Sequence, residues 1–385
     1  MTGWPAGEWA QRVRSQLDRI AEEGRWRAPR EFDARGPAGS LADVPQPVVS
    51  FAGNDYLGLS GHPAVVAAAH RALDRWGAGS GGSRLITGSR PVHRELEEAL
   101  ASWKGTEAAI CYPTGFAANL GVLSVLGGPD ALVLSDELNH ASIIDGCRLA
   151  RAEVAVYRHA DPEHLASLLA AAGRPAVVVT DTVFSMDGDV APLAELAAVC
   201  RRHGALLVMD EAHSVLGPHP GPEVTGDLPV VRVGTLSKTL GSSGGFVAAS
   251  RPVVDLLVNA SRPYIFTTAG TPADAAAALA ALDVLRSPEG VALCTRLADL
   301  VDRVAPAHPT PIVPIVLGSE QRALRASAAL LARGLWVPAI RPPTVPVGTS
   351  RLRLTLSAAH TDGQVDQLLA ALVSPEVGAG LAGAR

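Results

Sequence analysis

The chain of 385 residues is poor in several things that would announce a function, and each scarcity removes a class of answer. It has four cysteines, Cys111, Cys147, Cys200 and Cys294, scattered with no close C-x-x-C pair. That spacing argues against a zinc site, and a long chain of this kind is a poor candidate for a disulfide framework. Lysine and arginine do not exceed the acids, and the formal net charge of −5 leaves no basic footprint for nucleic acid. No apolar run approaches the roughly 18 to 20 residues that span a bilayer. The opening "MTGWPAGEWAQRVRSQLDRIAEEGRWR" is polar and lacks the apolar core of a signal peptide. A cytoplasmic location is therefore expected. There is no internal repeat and no low-complexity block beyond a richness in alanine.

What is present describes a globular protein: 48% hydrophobic and 18% charged residues, enough chain for two or three units sharing a sizeable core. Residues 1–48 read as a helical segment, with Val13, Leu17 and Ile20 on one face, followed by a Pro/Gly-rich connection. From about residue 90, helical and strand-like patterns alternate. "PVHRELEEALASWKG" places Val92, Leu96, Leu100 and Trp103 on one helical face. The short apolar runs "AAIC", "ALVLS", "VAVY", "AVVVT", "ALLVMD" and "VVRVGT" read as strands buried on both faces of a sheet. Intervening helices such as "DPEHLASLLAAAG" predict an α/β fold with a mostly parallel sheet flanked by helices over residues 49–272. From 273 to 385 the pattern changes to few strands and several helices, a smaller α+β domain.

In open α/β sheets, ligands gather at the carboxyl ends of the strands, so the residues that follow each run carry information. "YPTGFAANL" offers a Thr-Gly turn into a helix, whose free N–H groups and dipole suit a phosphate. His140, in "DELNHASIIDG", is either a cap or core histidine or a ring lying against an aromatic ligand. "DTVFSMDGD" is either a solvated acidic loop or the carrier of a useful Ser185. Asp210 and His213, in "DEAHS", stand where a carboxylate is costly without a partner, and a metal pair or a surface turn would also explain them. Last comes Lys238 in "TLSKTLGSSGGF", between Ser237 and Thr239, with Gly241, Gly244 and Gly245 behind it. Taken in order, these strand ends hold a phosphate seat, a histidine, a carboxylate and a lysine. Pyridoxal phosphate (PLP) requires such a set: a lysine for a Schiff base and a carboxylate for the pyridine nitrogen. No metal is expected.

The chain also resembles the α-oxoamine synthases, a family of fold-type I PLP-dependent transferases. The resemblance runs from about Arg25 through "AAHTDGQVDQLLAAL" and is carried by "FAGNDYLGLSGHP", "GSGGSRLITGSRPVHRELEEALASW", "TGFAANLGVL", "NHASIIDG", "VFSMDGDVAPL", "DEAHS", "TLSKTLGSSGG" and "RPPTVPVGTSRLRLTLSAAHT". Within the family, "IRPPTVPVGTSRLRLTL" is similar to members that condense L-alanine with a pimeloyl thioester, on coenzyme A or acyl carrier protein, on the way to biotin. Another member using glycine or serine with a different acyl thioester is the alternative, an aminotransferase or a non-catalytic binding protein a more distant one.

The resemblance implies roles. Lys238 is the Schiff-base lysine, Asp210 faces the pyridine nitrogen, His213 and Ser185 lie near the cofactor's phenolic oxygen, and His140 stacks on the ring. Lys238, His140, Asp210 and His213 form the catalytic set. Gly115, Phe116, Thr235 and Ser237 serve the phosphate, while Thr267 and Thr268 of "PYIFTT" reach a neighbouring subunit's phosphate and imply a homodimer with shared sites. Arg27, Thr344 and Arg353 contact substrate, Arg353 through the amino-acid carboxylate. Alternation along "SRLRLTLS" sets Arg351, Arg353 and Thr355 on one face, towards solvent or a cleft, and Leu352, Leu354 and Leu356 on the other. Pro113 and Thr114 depart from the smaller residues relatives often carry before the glycine, and the tail "SPEVGAGLAGAR" reads as a loose terminus.

Overall fold

The computed structural model describes residues 7–375, 377 and 378. Most of the tail expected to be loose lies outside the described residues. The chain opens with helix α1, Glu8–Glu22. Its apolar stripe is not buried against the rest of the chain: Val13 is half-buried, Leu17 and Ile20 are exposed, and Ala10 is the buried residue of the helix. The segment read as a Pro/Gly-rich connection instead contains three short strands, β1 (Phe32–Ala34), β2 (Ala38–Leu41) and β3 (Val48–Ser50), which form an antiparallel meander. None exceeds four residues, too short for alternation to show in sequence.

Helices α2 (Pro63–Trp76) and α3 (Pro91–Lys104) follow, each with proline in its first turn where the missing N–H costs nothing. The expected face of α3 is real: Val92, Leu96 and Leu100 are buried and Trp103 packs against the same core. The central sheet then begins with β4 (Ala108–Tyr112), α4 (Gly115–Leu126), β5 (Leu132–Asp136), α5 (Ala141–Leu149) and β6 (Glu153–Tyr157). It continues through β7 (Ala176–Asp181), β8 (Leu206–Asp210), β9 (Val230–Thr235) and β10 (Gly245–Ala249). The seven strands lie in the order β4-β10-β9-β8-β7-β5-β6. All neighbouring pairs are parallel except those of β10, which runs antiparallel to both β4 and β9. The predicted α/β fold with a mostly parallel sheet is the observed one.

Two details differ from the sequence reading. Strand β10, "GFVAA", was not expected, because its glycine and alanines give no strand signal. Strand β6 is not buried on both faces: it closes one edge of the sheet, and Val154 and Val156 are exposed. The inner strands do bury both faces, Val133, Val177, Val179, Val208 and Val231 against one helical layer and Leu134, Val178, Leu207 and Met209 against the other.

Beyond residue 310 the chain adds β11 (Ile312–Gly318), β12 (Leu335–Trp336), β13 (Ala339–Ile340) and β14 (Ser350–Thr355). Strands β11, β14 and β13 make a three-stranded antiparallel sheet with β14 at its centre. Strand β12 instead pairs in parallel with β3, tying the late chain to its early meander. Among the described residues no helix is long and apolar enough to cross a membrane.

Candidate active site

The carboxyl ends of β5, β7, β8 and β9 and the start of α4 meet around a cavity of about 220 Å³. Nine residues singled out in the sequence line it: Gly115, Phe116, His140, Ser185, Asp210, His213, Thr235, Ser237 and Lys238. Residues up to 123 positions apart converge because parallel strands deliver their carboxyl ends to one edge of the sheet.

The start of α4 is built from close backbone contacts. Thr114 caps the helix, its hydroxyl accepting from the Ala117 N–H at 3.0 Å. Gly245, the first residue of β10, lies directly behind: a Cβ there would stand 2.5 Å from the Gly115 nitrogen. The glycine run after Lys238 therefore has a steric cause. Gly241 adopts a left-handed φ of +56°, and a Cβ on it would fall 2.2 Å from the Ser60 nitrogen. Thr235 and Ser237 join their hydroxyls at 2.7 Å beside this helix end.

On the cavity floor, Asp210 is buried and held at both oxygens, by Asn119 Nδ2 at 2.7 Å and by the Ala212 N–H at 2.9 Å. Asn119 also donates to Ser142 Oγ at 2.9 Å, and Ser142 Oγ lies 2.8 Å from His140 Nδ1. His140 caps α5, and its own N–H donates to Asp181 Oδ2 at 2.8 Å. Asp181 pairs in register with Asp210 across β7 and β8. Burial, with the Asp210 charge beside it, holds the Asp181 carboxyl well above the usual carboxylate range.

Lys238 Nζ lies 2.8 Å from His213 Nε2. Burial lowers the lysine's pKa; the carboxylates of Asp210 and Asp181 oppose that shift and Arg353 adds to it. Burial also pushes His213 well below its ordinary value, with Lys238 and Arg353 pressing the same way. Burial lowers His140 too, against the pull of Asp210. The site thus holds a lysine of reduced basicity beside a neutral imidazole.

Arg353 does not line this cavity, but it reaches it. Its Nε donates to the Ser185 carbonyl and its Nη2 to Asn54 Oδ1 at 3.2 Å. The alternation expected on β14 holds, with Leu352, Leu354 and Leu356 in the core. The face with Arg351 and Arg353 is buried as well, the two arginines 5% and 6% exposed, so they are not solvated side chains on an open strand. Arg27 and Thr344 are exposed, and neither lines the cavity. Thr267 lines a separate small cavity and Thr268 forms an isolated bridge to Ser83; neither lines the cavity of Lys238.

Sequence reasoning gave no role to Asn119, Ser142, Asp181 and Ala212, all of which line the cavity, or to the neighbouring Asn54 and Tyr56. Asn119 and Ser142 follow the turns that were noticed by one helical turn or less, so the motif residues themselves pointed at them. Asn54 and Tyr56 come from a loop before α2, and nothing in their local pattern marks a partner 157 residues away.

A sheet whose strand ends present a half-buried lysine with a buried carboxylate and histidine beside a helix N-terminus defines the aminotransferase class of architecture. The model of the aminotransferase class I and II family matches residues 46–372. The curated relatives narrow this class further. The 8-amino-7-oxononanoate synthase of Anaeromyxobacter dehalogenans is 52% identical over 366 residues, 90% of this chain and 91% of its own. That of Alkalilimnicola ehrlichii is 47% identical over 385 residues, 95% of this chain and 98% of its own. The chain belongs to the 8-amino-7-oxononanoate synthase family. Among solved structures, the Sphingomonas wittichii serine palmitoyltransferase superposes with a TM-score of 0.87 at 32% identity, covering 98% of this chain and 99% of that one. The high-resolution structure of SPT with PLP has the same score at 31% identity. An 8-amino-7-oxononanoate synthase from Francisella tularensis gives 0.69 at 26% identity, over 84% and 96%. Among these solved structures neither backbone shape nor identity singles out the synthase; the 47–52% identity to the curated relatives does.

Proposed function

We propose that this chain is a PLP-dependent acyltransferase that condenses L-alanine with a pimeloyl thioester, giving 8-amino-7-oxononanoate, CO2 and the free thiol, in biotin biosynthesis. The observation that carries the reading is the identity of 47–52% to synthases of that name, over at least nine-tenths of this chain in these pairs. The cavity fits the cofactor: the Gly115–Phe116 end of α4, with the Thr235 and Ser237 hydroxyls, suits a phosphate; Asp210 suits a pyridinium; Lys238 suits the aldehyde. When bound, PLP supplies an electron sink for charge developing at the amino acid's Cα.

The remaining work falls to the chain. Lys238, its basicity reduced by burial, takes the Cα proton of alanine and returns it after CO2 departs. Asp210, fixed by Asn119 and Ala212, holds a negative charge against the cofactor's nitrogen. Arg353 grips the alanine carboxylate through its planar fork, which orients the Cα–H bond toward Lys238. His140 would pack on the cofactor and hold the acyl oxygen, with Ser185 and His213 at the phenolic oxygen. Arg27 and Thr344 contact the acyl substrate, from surfaces open to it. Thr267 and Thr268 complete the phosphate seat of a second copy in a homodimer. Coenzyme A or acyl carrier protein brings the acyl group.

The test is a product assay by mass spectrometry. Purified protein receives PLP, one of L-alanine, glycine or L-serine, and pimeloyl or palmitoyl thioesters on either carrier. Formation of 8-amino-7-oxononanoate from L-alanine, with loss of CO2 and dependence on Lys238, is the expected result. A preference for serine and a long acyl chain would move the assignment to the serine palmitoyltransferase branch.

A further inference from the structure

A line of hydrogen bonds runs from Asp210 to His140, and its direction is set by groups that can only accept or only donate. Asp210, as a carboxylate, only accepts, so Asn119 must turn its Nδ2 towards it, at 2.7 Å. The second Nδ2 hydrogen goes to Ser142 Oγ at 2.9 Å, and the Asn119 oxygen has no partner among the described residues. Asn119 and Ser142 are each 1% exposed, so these contacts are made out of reach of bulk water.

Having accepted from Asn119, Ser142 Oγ has its own proton to give, and His140 Nδ1 stands 2.8 Å away. A second donor fixes the direction independently. The Ser142 backbone N–H, which cannot accept, points at the same Nδ1 at 3.2 Å, the capping contact of α5. A hydrogen on Nδ1 would face that N–H. Nδ1 is therefore the ring's acceptor, and the proton of the neutral imidazole sits on Nε2. Burial favours this neutral form, against the pull of Asp210. Nε2 has no hydrogen-bond partner among the described residues, and His140 lines the cavity.

We propose that Ser142 and Asn119 are positioning residues: together they present His140 to the cavity with its proton on Nε2, as a hydrogen-bond donor to the oxygen of the acyl group. The proposal rests on the function proposed above and assigns the two residues to different parts of the reaction. A neutral Nε2–H stabilises charge on the acyl oxygen without giving up its proton. Ser142 acts at the His140 end of the line. Asn119 holds both Ser142 and Asp210, so it serves the alanine end as well.

The experiment has two arms. Imidazole 15N NMR of the full-length protein without cofactor, with labelled histidine and His140 assigned by its loss in His140→Gln, reads the proton directly. Wild type should carry it on Nε2. Ser142→Ala should keep it there, while the bare Nδ1 signal moves downfield for want of the hydroxyl. The kinetic arm uses the holoenzyme. Exchange of the alanine Cα hydrogen for deuterium, without thioester, reads the alanine half; product formed from pimeloyl-coenzyme A reads the whole reaction. In Ser142→Ala, product formation should fall by about tenfold, as for one lost hydrogen bond, while Cα exchange stays within about twofold. In Asn119→Ala both should fall, by about tenfold or more, because Asp210 loses one of its two holds. A wild-type proton on Nδ1, or an Nδ1 signal that Ser142→Ala leaves in place, overturns the proposal. So does a Ser142→Ala protein whose exchange slows as much as its condensation, or whose condensation is unimpaired, or an Asn119→Ala protein with normal exchange. If instead the protein binds no PLP or makes no product from alanine, the functional reading fails, while the cofactor-free spectra still decide where His140 carries its proton.

Discussion

Behind Asp210 the sheet buries a compact charge cluster, and removing its single anion gives a sharp test of how this strand end is held. Glu211, whose side chain is 1% exposed, lies with Oε2 2.6 Å from Lys104 Nζ and Oε1 2.5 Å from Arg232 Nη1. Both cations are nearly buried, at 6% and 10%, and Lys104 Nζ also stands 3.6 Å over the Trp103 ring. Glu211→Gln keeps the shape but leaves two buried cations with no counter-charge. Breaking a buried pair in this way costs about 3–5 kcal/mol. For a chain of this size each kcal/mol lowers the Tm by about 2 °C, so a fall of about 6–10 °C is expected in calorimetric melts at pH 7. The pH dependence adds a signature. Burial raises the Glu211 pKa, but Lys104 and Arg232 outweigh it and the carboxyl lies below its usual range. Its stabilisation is therefore present above the unfolded value of about 4.3 and lost as pH falls through the folded pKa, so the two proteins should converge in acid. Adding Arg232→Met to Glu211→Gln should recover part of the loss, because one cation fewer is stranded. A Glu211→Gln protein melting within about 1 °C of wild type at pH 7 would refute the reasoning.

Three further outcomes follow from the site. Asp210→Asn should fold and bind PLP but lose about a hundredfold in kcat, the equivalent of about 3 kcal/mol of charge stabilisation; near-normal turnover would remove Asp210 from that role. Arg353→Lys should raise the alanine half-saturation, read by spectral titration, by about tenfold or more, because an ammonium cannot keep both the Ser185 carbonyl and a two-point carboxylate contact. Equal half-saturation in both proteins would confine Arg353 to a structural part. His159 is opposed by burial, yet hydrogen bonds to Asp136 and Asp189 push it up to about 10. Its stabilisation is thus complete below about pH 6.5 and lost as pH rises towards 10; denaturant melts of His159→Gln should lack that decline, and an identical pH slope would count against the ion pairs.

How much of this was legible beforehand depends on the range of the interaction concerned. The strand-end residues were readable because a parallel sheet converts a list of local positions into one line in space, and nine of them do share a cavity. Alternation on β14 was also local, and the leucines went where it put them. The burial of its arginines was not readable. It comes from the 185–189 loop, whose Asp187 pairs with Arg351 and whose Ser185 carbonyl takes Arg353. Strand β10 was hidden because its glycine is there for contact with Gly115, not for strand propensity. Tyr56 and Asn54 were hidden because their value lies wholly in partners more than 150 residues away.

The same loop explains why the lysine end and the arginine end of the site can be built from different sheets and still agree in position. It leaves β7 beside Asp210 and is pinned at its far end by His159, which bridges Asp189 at 2.7 Å and Asp136 at 2.9 Å. Midway, Gly188 takes a φ of +69°, and a Cβ there would lie 1.9 Å from the Ile312 carbonyl, so only glycine permits the approach to β11. The Gly188 carbonyl accepts from the Thr310 hydroxyl at 2.7 Å, which fixes that approach. Next to it the two acceptors for β14, Asp187 and the Ser185 carbonyl, meet Arg351 and Arg353. Five consecutive residues thus carry an ion pair to the central sheet, a backbone contact to β11 and two arginine contacts to β14. A carboxylate bound at Arg353, as proposed, would therefore be referenced to the same strand ends that hold Lys238 and Asp210. A reaction that needs a Cα–H bond aimed at one amine can tolerate substrate contacts from a second sheet because this segment ties the two sheets at several points.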